Sequence, residues 1–166
     1  MIVVEGCDKC GKTSIAAKLA ERLGWPVVKF SQPASTDPCD EYMAALAARP
    51  APFIADRFHL GERVYGPLYR GTPPPDHKKM RAIEDELIRR RALLILMWDT
   101  GERVRWRFVD HREAFARGEH VRRILDAFDA AWAGSRVKKI KLKWSADSSR
   151  QRVIVDRAIR ALESPW

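Results

Sequence analysis

The chain has 166 residues, 46% hydrophobic and 32% charged, and a net charge of +9. That length suits one domain spanning 1–166 with a real core, and the absence of a bilayer-length apolar run or a signal-peptide layout points to the cytoplasm and away from a membrane. The basic balance suits acidic partners such as nucleotides, nucleic acid or an anionic surface, without choosing among them.

In chain order, "IVVE" (2–5) reads as a first strand. A helix follows from Lys12 to about Leu23, with Ile15, Ala16, Leu19 and Leu23 on one face and Gly24 as its stop. "WPVVKF" is a second strand, and Asp37 or Thr36 caps a short helix with Pro38 early in it. "PFIADR" is a third strand; "LGERVYGPLYRG" is a helix broken by Gly66 and Pro67. A proline-stiffened loop leads into "HKKMRAIEDELIRRR", strongly helical. "ALLILMW" is a buried strand ending at Asp99, followed by an arginine-dense stretch, 100–118, and an amphipathic helix to Trp132. "VKKIKLKW" alternates like an edge strand, and the final helix directs Val153, Ala158, Ile159 and Leu162 inward. Steady alternation of strand and helix predicts an α/β fold with a mostly parallel sheet of five strands.

One stretch carries chemistry. "GCDKCGKTS" contains Gly6-x4-Gly11-Lys12-Thr13 between a strand and a helix, which is the P-loop pattern in its confirming context. Its glycines let backbone N–H groups converge on phosphate, and the helix start adds positive potential. Gly6, Gly11, Lys12, Thr13 and Ser14 are the candidate ATP-binding set, with the Thr13 hydroxyl a ligand for Mg²⁺. The C-x-x-C of Cys7 and Cys10 could instead serve redox or metal chemistry, but it lies in a turn whose amides have this other use, and the histidines lack zinc spacing with it. The cysteines are read as small side chains that fit a tight loop. A P-loop alone does not choose among kinases, motors and GTPases; the guanine motif N-K-x-D is missing.

Beyond the loop the chain resembles the thymidylate kinases and related nucleoside monophosphate kinases. "VVEGCDKCGKTS" is similar to their first strand and P-loop. "FIADRFHLGERVYGPLYRG" resembles their D-R-[YH] segment, with Asp56, Arg57, Tyr65, Arg70 and Gly71 at matching spacing. "DTGERVRWRFVDHREAFARGEH" resembles their arginine-rich lid. The resemblance implies a P-loop three-layer sandwich and transfer from ATP to a deoxynucleoside monophosphate. It implies roles too: Asp8 for the acceptor sugar's 3′-hydroxyl, Lys9 as a basic P-loop residue assisting transfer, and Arg57 for the acceptor phosphate. Asp56 would hold Mg²⁺ with Thr13, and Tyr65 would fill the place of a ribose 2′-hydroxyl. Arg107 and Arg112 are the lid candidates among five arginines, and a homodimer is common in that family.

The acceptor side departs from the pattern. The helix that carries the base-stacking phenylalanine has no counterpart before Asp56, and R-E-P is replaced by Ser31-Gln32-Pro33. Base recognition is therefore assigned to other surfaces, Phe58, Glu62, Tyr69 and Gln32, with the base itself left open. Two rival readings remain: a kinase for another small acceptor hydroxyl with Asp8 or Asp56 as base, and a nucleic-acid-binding ATPase using the lysines of "VKKIKLKW" and the arginines at 89–91.

Overall fold

The computed structural model describes residues 1–31, 37–110 and 120–165. Five strands form one sheet: β1 (Ile2–Glu5), β2 (Val27–Lys29), β3 (Ile54–Asp56), β4 (Leu93–Trp98) and β5 (Lys138–Lys143), in the order β2-β3-β1-β4-β5. Every pairing is parallel, so the sheet is wholly rather than mostly so. Strands buried on both faces read as unbroken apolar runs; β1 and most of β4 do so. β5 lies at an edge, as its alternation predicts. β2 is shorter than the apolar run suggests, although the ladder reaches past it, with Phe30 N–H donating to the Asp56 carbonyl at 3.0 Å.

Helices α1 (Lys12–Leu23) and α7 (Ser148–Glu163) pack on each other, and α3 (Leu60–Tyr65) packs on α6 (Val121–Gly134); α2 (Pro38–Ala47) lies on α4 (His77–Arg89), and α5 (Gly101–Asp110) on α6. The arrangement is an α/β three-layer sandwich. Helix ends follow local chemistry: Gly24 closes α1 at φ 67°, and Asp37 accepts from Cys39 N–H ahead of Pro38. Among the described residues no helix is long and apolar enough to cross a membrane.

One expectation needs correction. Val153 is 55% exposed, and α7 instead buries Gln151, Ile154, Val155 and Ala158. The Gln151 amide donates to the Ser145 carbonyl at 2.9 Å, and this polar anchor sets the helix's rotation. The break expected at Gly66 and Pro67 is present: α3 ends at Tyr65. Pro67 brings no N–H, and the chain widens into a π-helical turn, Gly66–Arg70, closed by Gly71 at φ 62°.

Adjacent, in-register ends of β1, β3 and β4 put the loops after Glu5, Asp56 and Trp98 side by side at one edge of the sheet. Gly6 makes the first of these turns possible. At φ 136° a Cβ there would lie 2.1 Å from the Met97 carbonyl oxygen, a contact with backbone that cannot swing away. Gly6→Ala is expected to cost about 3 kcal/mol or more in urea unfolding. Gly134→Ala, with nothing within 4 Å of the new methyl, is expected to be neutral or to stabilise by up to about 1 kcal/mol.

Candidate active site

The loop after β1 curls around its own amides. Gly6, Lys9 and Gly11 all take positive φ, of 136°, 64° and 74°, and such alternation turns successive N–H groups to one side. For Lys9, which has a side chain, the left-handed conformation costs about 1–2 kcal/mol. Gly11 is required by more than φ: a Cβ there would lie 2.1 Å from the ring of Trp144, which follows β5 and packs onto the loop.

The cations around this cradle are held by internal acceptors. Lys12 is 5% exposed, and its Nζ donates to the Cys7 carbonyl at 2.8 Å and to Asp8 Oδ1 at 3.3 Å. Arg57, itself at φ 67°, reaches the same Asp8 oxygen at 2.7 Å. From α5, Arg107 donates to the Lys9 carbonyl at 2.6 Å and pairs with buried Asp99. Asp99 also accepts from Thr100 N–H at 2.8 Å. Ser14 is exposed in the first turn of α1. Gln32 and Arg112 lie outside the described residues.

Thr13 and Asp56 meet, the hydroxyl donating to Asp56 Oδ2 at 2.7 Å. Asp56 is fully buried, and its other oxygen, Oδ1, has no hydrogen-bond partner among the described residues. A buried, half-satisfied carboxylate beside a hydroxyl is a hard-oxygen donor set that fits Mg²⁺. Cys7 and Cys10 are both buried. A hydrogen bond between their sulfurs lowers the Cys10 pKa and raises that of Cys7.

Beside the loop lies a cavity of about 290 Å³ whose lining includes Asp8, Phe30, Tyr42, Phe58, Glu62 and Tyr65. Phe58 stacks edge-on to Phe30 with centroids 4.8 Å apart and tilts against Tyr42 at 4.6 Å. The Tyr65 hydroxyl accepts from Asp8 N–H at 3.1 Å, and burial pushes its phenol pKa well up, so it stays neutral. Glu62 accepts from the Tyr42 hydroxyl at 3.2 Å and pairs with Arg70. Burial raises its pKa while Arg70 pulls the other way. Tyr69 and Arg70 also line the cavity. A larger groove of about 890 Å³, walled by Trp98, Trp106 and Lys141 among others, contains no P-loop residue.

Sequence reading missed Glu5, Asp99 and Trp144. Glu5 is 1% exposed, and its Oε1 accepts from the N–H groups of Phe58 and Leu60 at 2.9 Å and of Gly61 at 3.4 Å. A glutamate closing an apolar strand was the available signal. Burial raises its pKa against the pull of His59, Lys12 and those N–H groups.

No protein-family model matches the chain. It is 23% identical over 161 residues to the SPbeta prophage-derived uncharacterized protein YorR of Bacillus subtilis (strain 168), covering 93% of this chain and 96% of that protein. The crystal structure of Bacillus subtilis YorR in complex with phosphorylated GDP superposes with TM-score 0.81 at 20% identity, covering 98% and 95% of the two chains. Deoxyadenosine kinase from M. mycoides with bound dCTP gives 0.62 at 14% identity over 97% and 100%. Thymidylate kinase from Ehrlichia chaffeensis gives 0.57 at 15% over 98% and 97%. The chain has the P-loop fold that these kinases share.

Removing the Glu5 carboxylate strands buried N–H groups, each costing about 1–3 kcal/mol. Glu5→Ala is therefore expected to lower stability by about 3 kcal/mol or more, read by denaturant unfolding. Glu5→Gln, which keeps an acceptor oxygen, is expected to lose less than half of that.

Proposed function

We propose that this chain transfers a phosphoryl group from ATP to the 5′-phosphate of a deoxynucleoside monophosphate. The observation that carries the reading is the aromatic cavity adjoining the P-loop, where Arg57, Asp8 and the Tyr65 hydroxyl come together. A flat apolar lining suits a nucleobase. The fold-mates with bound phosphorylated GDP and dCTP support a nucleotide ligand.

In this mechanism the P-loop amides and Lys12 receive the ATP phosphates, Lys12 leaving the Cys7 carbonyl. Arg57 turns from Asp8 to the acceptor phosphate, which is itself the nucleophile, so no strong general base is needed. Asp8, relieved of one cation, accepts from the sugar 3′-hydroxyl, while the Tyr65 ring occupies the space a 2′-hydroxyl would need. Thr13 and Asp56 would hold Mg²⁺, which would supply positive charge against the phosphates when bound. Arg107, with Lys9 beneath it, adds positive charge from the lid side, and Arg112 is assigned to the same lid. Closure of the lid keeps water from the donor.

Specific contacts weigh against the nucleic-acid rival. Of the lysines offered for nucleic acid, Lys139 donates to the carbonyls of Trp132, Ala133 and Ser135, and Lys141 pairs with Asp129.

The test is ATP consumption with Mg²⁺ against all ribo- and deoxynucleoside monophosphates, with nucleosides as controls. One deoxynucleotide is expected to exceed its ribose twin by about tenfold or more. Lys12→Ala should lower kcat at least about a hundredfold, whereas Cys10→Ala should retain most activity. Arg57→Ala should raise the acceptor KM about tenfold or more and leave ATP affinity within about twofold. Phosphorylation of nucleosides but of no monophosphate would sink the proposal.

A further inference from the structure

We propose that the acceptor base is guanine, its Watson–Crick and O6/N7 edge read by the side-by-side pair Glu62 and Arg70. This rests on the acceptor-cavity reading above and deepens it.

Glu62 and Arg70 are a charged pair in a lining otherwise rich in aromatic rings. The Glu62 carboxylate is fixed at both oxygens: the Tyr42 hydroxyl donates to Oε1 at 3.2 Å, and Arg70 Nη2 donates to Oε2. Burial raises the Glu62 pKa, and the two donors converging on its carboxyl pull the other way. Each carboxylate oxygen has a second lone pair, and the guanidinium fork has further N–H groups. The pair therefore sets acceptor capacity on Glu62 beside donor capacity on Arg70, both residues lining the cavity.

The bases differ in how they meet that pattern. Guanine presents N2–H and N1–H, two adjacent donors, with O6 beside them on the Watson–Crick edge and N7 next to O6 on the major-groove side. Carboxylate on the two donors and guanidinium on O6 and N7 match each of these four groups with an opposite partner. Thymine has one N–H flanked by carbonyl oxygens, so a carboxylate against it meets like partial charge. Cytosine has one amino group beside two acceptors, and adenine has its amino group between two acceptor nitrogens. Each of these sets an acceptor against the carboxylate or a donor against the guanidinium, a like-with-like mismatch that leaves polar groups of the base without a partner. A site built to hydrogen-bond one edge rejects the wrong edge by that unpaired cost, which is larger than the cost of imperfect apolar fit. Phe30, Tyr42 and Phe58, in mutual contact, supply the apolar wall for the ring.

The experiment is titration calorimetry of the full chain with dGMP, dIMP, dAMP, dCMP and dTMP, alongside ATP-dependent transfer to each. Hypoxanthine lacks only the 2-amino group, so the dGMP/dIMP comparison removes one contact without altering the protein. The expected result is dGMP binding about tenfold or more tighter than dIMP and about a hundredfold or more tighter than dTMP. Glu62→Gln should bring the dGMP/dIMP ratio to within about twofold of unity. Equal affinity for dGMP and dIMP on the unaltered chain overturns the inference. So does tighter binding of another base, and in that case transfer to that base leaves the kinase reading standing. Selective dGMP binding without transfer supports the base assignment and overturns the transfer reading.

Discussion

A single buried carboxylate holds the two halves of the site in register. Glu5 ends the central strand, and the phosphate loop starts at the next residue. Its Oε1 gathers backbone N–H groups from Phe58, Leu60 and Gly61, at the start of the helix that carries Glu62 and Tyr65. Arg57 N–H donates to the Val4 carbonyl at 2.9 Å, one residue earlier on the same strand. Strand pairing alone sets the ends of β1 and β3 side by side, but it does not orient the loop beyond β3. Burying the carboxylate is unfavourable in itself, and several hydrogen bonds offset that. The consequence is a phosphate cradle and an acceptor wall tied to one strand end by hydrogen bonds.

Electrostatics follow from that frame. Lys12, Arg57 and Arg107 would repel one another around an empty cradle, and each has an acceptor at hand: the Cys7 carbonyl, Asp8, and Asp99 with the Lys9 carbonyl. Asp8 is the hub, since Lys12 and Arg57 share one of its oxygens. On the proposed function, arriving phosphates exchange for these acceptors over short distances. The charges stand around the cradle before substrate binds, so the exchange of partners belongs to binding and comes before the transfer. Burial of Asp99 makes its hold on Arg107 stronger than a surface pair would be.

How much of this was legible in the sequence depends on how local each cause is. The P-loop is read from consecutive residues because its conformation is set within them: two glycines, a preceding strand and a following helix. The succession of strands and helices along the chain and the ends of α1 follow from similarly short-range patterns. Tyr65 and Arg57 were reachable only through resemblance, since nothing in "FIADRFHLGERVY" says that a tyrosine will meet the Asp8 amide. Glu5 and Asp99 act across 53 or more residues and 8 residues, and Trp144 reaches Gly11 from beyond β4; Glu5 and Asp99 had a local hint, each ending an apolar run, and Trp144 had none. The misplacement of Val153 has the same origin. Apolar periodicity admits neighbouring rotations of α7, and a glutamine making hydrogen bonds at the helix start decides between them.

The π-helical turn shows how a locally odd sequence becomes a specific arrangement. Glu62 and Arg70 are 8 residues apart; on an uninterrupted α-helix they would lie about 12 Å apart along the axis and about 80° around it. Pro67 removes a donor from that helix, and Gly66 leaves the space that Thr72 takes, its Oγ1 only 2.8 Å from where a Cβ would be. The chain widens through Gly66–Arg70, which carries Arg70 onto the Glu62 carboxylate, and Gly71 closes the turn. A proline in mid-helix is costly unless something else is gained. Here the gain is a carboxylate held at both oxygens within the cavity, so the irregular turn and the charged pair at the candidate base site have one physical origin.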